Sequence, residues 1–480
     1  MDIPVSIAFL LAVAALIAGY ALYGRLAERI FQPDADRPTP AHQMADGRDY
    51  IPLPGWRLFL IQLLNIAGLG PVFGPLLGAL YGSISLFWIV CGCIFAGAVH
   101  DYFSGMISLR HGGSTIPKLV KLYMGNTMFS IIMAVCVCAC VLGGMIFVAS
   151  PAALLSSLSG WSVNWWIFLI LAYYFLATIL PVDFIIGKIY PFFGMFLIIM
   201  AVSLISSLSI DPRYNTIPVA FWSSHHPQNL PAWPMIFITI ACGAISGGHC
   251  TQSPIIARCM HNEKNGRLLF YGAMIAEGVI ALVWAMLGIC LYNHGCSGWD
   301  WSQAALITDK VTQELLGPAG RVFALLGVIS LAITTGDSCF RGARLILADA
   351  LHIPQNSNAN CLTIAIPLFA AGLIADQIGF SKLWQYFGWF NQMLAACVLW
   401  LCAIYLKSRH RNPAIALVPA LFISVVIITF AFTAPLMHIC LSTGVSTVLA
   451  LIIAAVLGIL FLRAQPQSHE EDVQTSVSPS

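Results

Sequence analysis

Apolar runs of about twenty residues recur along the whole chain, and a helix of that length crosses ~30 Å of hydrocarbon. In order they predict spans at 5–24, 57–81, 84–109, 127–149, 164–181, 188–208, 234–257, 268–292, 321–346, 360–378, 382–406, 414–436 and 442–462. Lipid offers no partner for backbone N–H and C=O groups, so each run must satisfy its own as a helix. The expectation is an all-α polytopic membrane protein of about 13 transmembrane helices. Composition agrees: 59% of the residues are hydrophobic and 9% charged, against about a quarter charged in soluble domains. A net charge of +2 leaves no basic field for nucleic acid. No segment between the runs is long enough for a soluble catalytic domain, so the function is expected within the lipid bilayer.

The first run follows Asp2 and precedes Arg25 and Arg29, the reverse of the charge order of a cleaved signal peptide. It reads as a retained helix. Threaded with the N-terminus outside and the C-terminus inside, only Arg213, Lys310, Arg321 and Lys382 of the 22 Lys and Arg fall on the outer side. The positive-inside rule favours that orientation. Residues 25–56 then form an inner loop, and 209–233 and 293–320 form outer loops, the second with Trp299 and Trp301 at interfacial depth. The tail 464–480 is polar and expected to be disordered.

The 15 cysteines lie mostly inside apolar runs, as with Cys91 and Cys93, or Cys136, Cys138 and Cys140. Spacings of two on a helix point to different faces, so these read as small packing residues. Cys290 and Cys296 are near enough in sequence to pair, though nothing requires it.

Two spans carry helix breakers at mid-depth. Ile66 to Pro75 holds Gly68, Gly70, Gly74, Pro71 and Pro75; Ala241 to Pro254 holds Gly243, Gly247 and Gly248 among Ser246, His249, Thr251, Gln252 and Ser253. Proline removes a helical hydrogen bond and glycine lends backbone freedom. Unwound backbone at that depth is tolerated only where it is buried or lines a wet cavity. The stripe Gly70, Gly74, Gly78 also fits simple close packing of helices. The two segments open blocks of equal length, 57–233 and 234–410, each with five spans, so the second is inverted relative to the first. A five-plus-five inverted repeat with broken first helices is the pattern of LeuT-type transporters. It leaves 1–56 as one extra N-terminal helix with its inner loop, and 411–463 as two extra C-terminal helices.

Ionisable groups within the spans are costly and need a reason. His100 and Asp101 follow the first break, Glu277 sits centrally in the span after the second, and Asp337 follows Thr334, Thr335 and Gly336. A satisfied structural hydrogen bond suits each singly; together they read as a polar pathway. Asp337 with the two threonine hydroxyls offers hard oxygen ligands for a cation, or a proton carrier. Arg341 and Arg344 stand four and seven residues beyond Asp337 on one helix face, which suits an internal Asp337–Arg341 pair or an inner gate. Asp183 with Lys188, and Arg258 with Glu263, read as inner-face ion pairs and gates. Arg110-His111-Gly112-Gly113 reads as a tight structural turn.

Eight motifs in order then resemble the carbon starvation protein A (CstA) family of bacterial inner-membrane transporters. They are Asp46-Gly47-Arg48-Asp49-Tyr50-Ile51-Pro52, the stretch Ile66 to Pro75, Gly97-Ala98-Val99-His100-Asp101, and Pro181-Val182-Asp183 with Gly187 to Pro191. Cys242 to Arg258 with Asn262-Glu263-Lys264, Phe270 to Gly278, Thr335-Gly336-Asp337 to Asp349, and Tyr386 to Gln392 complete them. The resemblance implies a LeuT-like fold and uptake of peptides or pyruvate. The chain departs from the family's long members by its short C-terminal region and by His100 where they carry Gln.

The expected function is secondary active import by alternating access, coupled to a proton or a sodium ion and serving the starved cell. Gly68, Gly70, Pro71, Ser246, Gly247, Gly248, His249, Thr251 and Gln252 would bind the substrate. Thr334, Thr335, Asp337, His100, Asp101 and Glu277 would couple the ion, and Arg258, Arg341 and Arg344 would gate. No organic cofactor and no metal site is read. The alternative is a membrane-embedded starvation sensor or an intramembrane enzyme, for which no HExxH or GxSxG motif speaks. Oligomeric state is left open, a homo-oligomer included.

Overall fold

The computed structural model describes residues 2–46, 50–179, 183–218, 226, 229–355 and 357–465. Among the described residues, nine helices are long and apolar enough to cross a membrane, and one bent pair makes a tenth. The chain is a multi-pass membrane protein. Helix α1 (Val5–Phe31) lies at the rim, with Leu10, Leu11, Ile17 and Leu22 exposed for lipid. The first predicted break divides α2 (Gly55–Ile66) from α3 (Gly70–Gly78), and a short 3-10 turn extends the latter to Tyr81. The halves are bent by 49°. Pro71 opens the second half, where its missing N–H costs nothing.

Helix α4 (Ile84–Arg110) carries a π-helical turn at Cys93–Gly97. Helix α5 (Ile116–Ser159) is two helices joined at Gly125, whose φ of 85° only glycine adopts readily. Two apolar helices follow, α6 (Val163–Ile179) and α7 (Asp183–Ile210). Next comes the second break. Helix α8 (Ala232–Thr239) stops, residues 240–252 run without α-helix save a 3-10 turn at Gly247–Thr251, and α9 (Ser253–Cys259) resumes with Pro254 in its first turn.

Helix α10 (Ala273–Leu291), preceded by a π-helical turn at Arg267–Gly272, runs through the centre of the bundle. Its most apolar stretch is 89% buried, against 17% for α1, which decides which is core and which is rim. Helix α11 (Ala304–Leu351) is broken at Gly317 (φ 66°), as α5 is at Gly125. Helices α12 (Asn358–Asp376), α13 (Phe380–Ser408), α14 (Ala414–Thr433) and α15 (Thr443–Arg463) complete the bundle. Helix α11 packs along α5, α13 lies between α5 and α14, and α10 packs on α3. A broken span, a span with a π-helical turn and a short helix kinked into a long one thus occur in the same order in 57–233 and in 234–410.

Three expectations change. Residues 293–320 are not an open loop, because 304–316 is helical and runs into α11 through the glycine kink. The fold is not purely helical: β1 (Asp2–Pro4) pairs antiparallel with β2 (Thr216–Pro218), Ile3 opposite Ile217, so the N-terminus lies at the same end as the 209–218 segment. No cysteine pairs; Cys290 Sγ faces the Thr216 carbonyl at 3.5 Å and Cys296 Sγ the Tyr214 hydroxyl at 3.9 Å. The predicted tail beyond 465 and Gly47-Arg48-Asp49 lie outside the described residues, as do the side chains of Asp183 and Lys188.

Candidate functional site

The two breaks meet face to face. A Cβ on Gly70 would overlap Cys242, and one on Gly74 would stand 2.9 Å from the Thr239 carbonyl oxygen. Only hydrogen on those carbons lets α3 lie against the unwound segment, so the small-residue stripe serves this contact. A Cβ on Gly68 would stand 2.8 Å from Thr335 Oγ1, so α11 touches the first break. Gly243 takes a φ of 86° beside Pro71 and Pro75.

Unwinding strands backbone groups, and side chains from three neighbours answer them. Gln392 Nε2 donates to the Phe237 carbonyl (2.8 Å), Trp384 Nε1 to Thr239 (3.3 Å) and Trp88 Nε1 to Ile240 (3.3 Å). The Gly243 N–H donates to Glu277 Oε1 (3.1 Å) and the Gly248 N–H to Asn391 Oδ1 (2.7 Å). Asn391 Nδ2 donates to Ser246 Oγ (3.1 Å). Buried backbone at this depth is stable only when so paired.

At the centre, Asp101 receives two imidazoles. His100 Nδ1 donates to its Oδ1 (2.7 Å) and His249 Nδ1 to its Oδ2 (2.9 Å). His249 Nε2 then faces Glu277 Oε2 at 3.4 Å, off-line for a hydrogen bond, and neither atom makes one elsewhere. Cys242 Sγ, His249 and Glu277 each place a donor atom within 4.8 Å of the others. His100, Asp101 and Glu277 are fully buried and His249 is nearly so. Among the described residues no Lys or Arg pairs with either carboxylate; their ionic partners are the histidines.

His100, Asp101, His249 and Glu277, read singly from the sequence, therefore converge with Ser246, Gly247 and Gly248. Thr251 and Gln252 sit at the segment's end, where Thr251 Oγ1 donates to the Gly248 carbonyl (2.8 Å) and Gln252 Nε2 to Thr251 Oγ1 (3.2 Å). The structure does not bring Asp337 to this cluster. Arg341 holds it at 3.0 Å and also reaches the Ala177 carbonyl at 3.0 Å, the internal pair that the four-residue spacing allows. Thr334 and Thr335 back-bond to carbonyls of their own helix, and Arg344 donates to Gln355 Oε1 (2.8 Å).

The expected Arg258–Glu263 pair is not formed. Glu263 takes Arg110 (3.1 Å), at the end of α4, and Arg258 donates to the Gly113 carbonyl (3.0 Å) beneath Tyr50. The Gly112–Gly113 turn, with both φ positive, presents that carbonyl. Cys242 and Asn391 had no role assigned in advance. The signal for Asn391 was present, since an amide in the middle of an apolar span is costly; Cys242 gave none, being one apolar-run cysteine among many.

The family model described as "Carbon starvation protein CstA" matches residues 5–149, 126–314 and 301–431. An uncharacterized membrane protein of Haemophilus influenzae is 43% identical over 338 residues, spanning 60% of this chain and 91% of that one. The peptide transporter CstA of Escherichia coli K12 is 26% identical over 556 residues, 86% of this chain and 78% of that one. Among solved structures, a mutant of the Eremococcus coleocola manganese transporter superposes with a TM-score of 0.61 at 10% identity, over 87% of this chain and 98% of that one. MhsT in complex with L-phenylalanine gives 0.54 at 14% identity, over 83% and 98%. At such identities these share the fold alone, that of LeuT-type transporters. The match in sequence runs through both breaks and the polar cluster between them, and the chain belongs to the carbon starvation protein CstA family.

Proposed function

We propose that this protein is a secondary active importer of peptides in the bacterial cytoplasmic membrane, working by alternating access, with its N-terminus outside. The observation that carries the reading is the face-to-face meeting of two unwound segments, at 67–69 and 240–252, in the middle of a buried bundle. Irregular backbone at mid-membrane is where transporters of this architecture hold their substrates. The recurring order of broken span, π-helical turn and glycine-kinked helix supports an inverted five-plus-five repeat, with one extra helix before it and two after.

Substrate peptide would lie between Gly68, Gly70 and Pro71 on one side and Ser246 to Gln252 on the other, its carboxylate taken by backbone N–H groups. Import is driven by a proton or a sodium ion. Thr335, touching Gly68, puts a hydroxyl-bearing turn of α11 beside the first break, where a cation would link the two. Asp337 in its pair with Arg341, and Arg258 on the Gly113 carbonyl, would hold the inner gates closed. Relatives bearing the name peptide transporter favour peptide over pyruvate-like carboxylates as cargo.

The test is counterflow in proteoliposomes, with a labelled dipeptide and separately labelled pyruvate, under imposed proton or sodium gradients. Dipeptide accumulation driven by one of the ions is expected. Accumulation of pyruvate alone would replace the cargo, and no flux of either from monodisperse protein would overturn the transporter reading.

A further inference from the structure

We propose that Cys242, His249 and Glu277 form a binding site for one divalent transition-metal ion of zinc type. The three come from both ends of the unwound segment and from the core helix α10, and their donor atoms all lie within 4.8 Å of one another. Tetrahedral zinc, with Zn–N and Zn–O near 2.1 Å, separates a nitrogen from an oxygen by about 3.4 Å. His249 Nε2 and Glu277 Oε2 stand 3.4 Å apart. A thiolate at ~2.3 Å from the ion would lie ~3.6 Å from each; Cys242 Sγ, which lies within 4.8 Å of both and donates to Ser246 Oγ (3.3 Å), would turn from that hydroxyl toward the ion.

The surroundings are those of a ligand set and not of a hydrogen-bonded relay. His249 spends its Nδ1–H on Asp101 (2.9 Å), which fixes the tautomer and turns the Nε2 lone pair inward. A carboxylate behind a histidine is the usual outer support of a metal ligand. Asp101 is itself held by His100 (2.7 Å), and Glu277 is anchored through its other oxygen by the Gly243 N–H (3.1 Å). What remains inward is one nitrogen and one oxygen without a hydrogen bond, on side chains 4% and 0% exposed. Leaving such atoms unmatched in hydrocarbon is costly.

Charge and softness select the ion. A thiolate and a carboxylate around a neutral imidazole balance a +2 cation, so the ligands and the ion together add no net charge to a site where isolated charges are costly. Sulfur disfavours Na⁺, Mg²⁺ and Ca²⁺, which take oxygen ligands, and an N, S, O set suits zinc or its borderline neighbours. Three protein ligands leave a fourth position, as in zinc sites that bind an exchangeable group. The ion would tie residues 242 and 249 to α10, bracing the unwound segment.

The test uses purified full-length protein in detergent, stripped with a chelator and titrated with Zn²⁺ against a chromophoric competitor, and with Co²⁺ as spectroscopic probe. One Zn²⁺ per chain and a thiolate-to-cobalt charge-transfer band in the near ultraviolet are expected. Cys242→Ser should lose that band, Asp101→Asn should weaken Zn²⁺ binding by about 10–100-fold, and Cys402→Ser, a buried cysteine on α13, should change neither. Absence of the band in the wild type overturns the site whatever the variants do, as does a band that Cys242→Ser leaves intact. No transport is needed for the readout, so a failed importer reading and a failed metal site are separate results.

Discussion

Two adjacent glycines in the unwound segment should respond unequally to the same methyl group. A Cβ on Gly247 would overlap the backbone oxygen of Asn391 and the backbone nitrogen of Ala395, and stand 2.7 Å from Leu394 Cβ. Two of those atoms belong to the main chain of α13 and cannot rotate away, so either the segment or the helix must move. Overpacking of that kind costs about 1–3 kcal/mol, and each one or two of those is a factor of roughly 5–30 in the folded population. On Gly248 the nearest atoms are Asn391 Oδ1 at 3.3 Å and Ser246 Oγ at 3.7 Å, both side-chain ends. Neither glycine has a positive φ, so alanine suits both backbones. At Gly248 the entropy gained through the unfolded chain, about 0.4–1 kcal/mol, offsets the crowding. Gly247→Ala should therefore melt several degrees below wild type and Gly248→Ala close to it, in thermal unfolding of purified protein followed by size-exclusion fluorescence. If Gly247→Ala melts at or above Gly248→Ala, the segment does not pack on α13 as described.

Asn391→Ala removes the acceptor of the Gly248 N–H and the partner of Ser246 Oγ, stranding a buried donor. It should lower stability by about 1–3 kcal/mol in the same melting assay, and a melting temperature equal to wild type would show that these bonds carry no stability. Just beyond α4, burial holds the His111 imidazole below the ordinary histidine value, with Arg409 and Arg110 adding to this and the Ile107 carbonyl opposing it. The folded state thus binds this proton less readily than the unfolded. Its contribution is full above ~6.5 and is lost as pH falls through the lowered value. Between pH 7.5 and 5.5 the wild-type melting temperature should fall more than that of His111→Gln; parallel slopes would remove His111 as the cause.

Ten of the predicted spans, one of them the bent pair, were legible because hydropathy over about twenty residues is a local signal, and the breaks because proline and glycine act on the chain next to them. Gly125 gave no such warning, and Gly317, though followed by Pro318, fell in what read as an outer loop. Each is a single glycine, and its kink depends on how the short helix before it, 116–124 or 304–316, packs at the bundle's end. Polar residues such as Asp309 and Glu314 made 304–316 look like loop, while in the structure Asp309 binds Arg321 and Glu314 binds Arg213. In the site, the intramembrane cost of charge picked out His100, Asp101, His249 and Glu277 one at a time. Their convergence is set by the packing of α4, the unwound segment and α10, and sequence separation hides it. The same limit misassigned Glu263, whose nearby candidate Arg258 lost to Arg110, 153 residues away. Where the pairing was local, as for Asp337 and Arg341, the sequence reading and the geometry coincide.

The side chains around 237–252 fall into two sets by what their polar atoms do. Trp88, Trp384, Gln392 and Asn391 each spend donors or acceptors on stranded backbone or on Ser246, Asp101 and the two histidines bind one another, and Glu277 belongs to both sets, with one oxygen on the Gly243 N–H and the other facing His249. Three of the first four stand on α13, so that helix supplies most of the satisfaction that hydrocarbon cannot. Pulling α13 away from the segment would leave several buried groups unmatched at about 1–3 kcal/mol each. An opening motion that separated them would thus be opposed by a sum comparable to a whole domain's net stability. On the alternating-access reading, the cheaper motion carries the unwound segment and α13 as one body and slides the contact at Gly70 and Gly74, where glycine meets Cys242 and the Thr239 and Ile240 backbone and the Tyr81–Thr239 side-chain hydrogen bond lies at its edge. A disulfide or other cross-link between the segment and α13 should then leave transport intact, while one across the α3 contact should stop it, and dipeptide uptake by the two cross-linked proteins decides which interface moves.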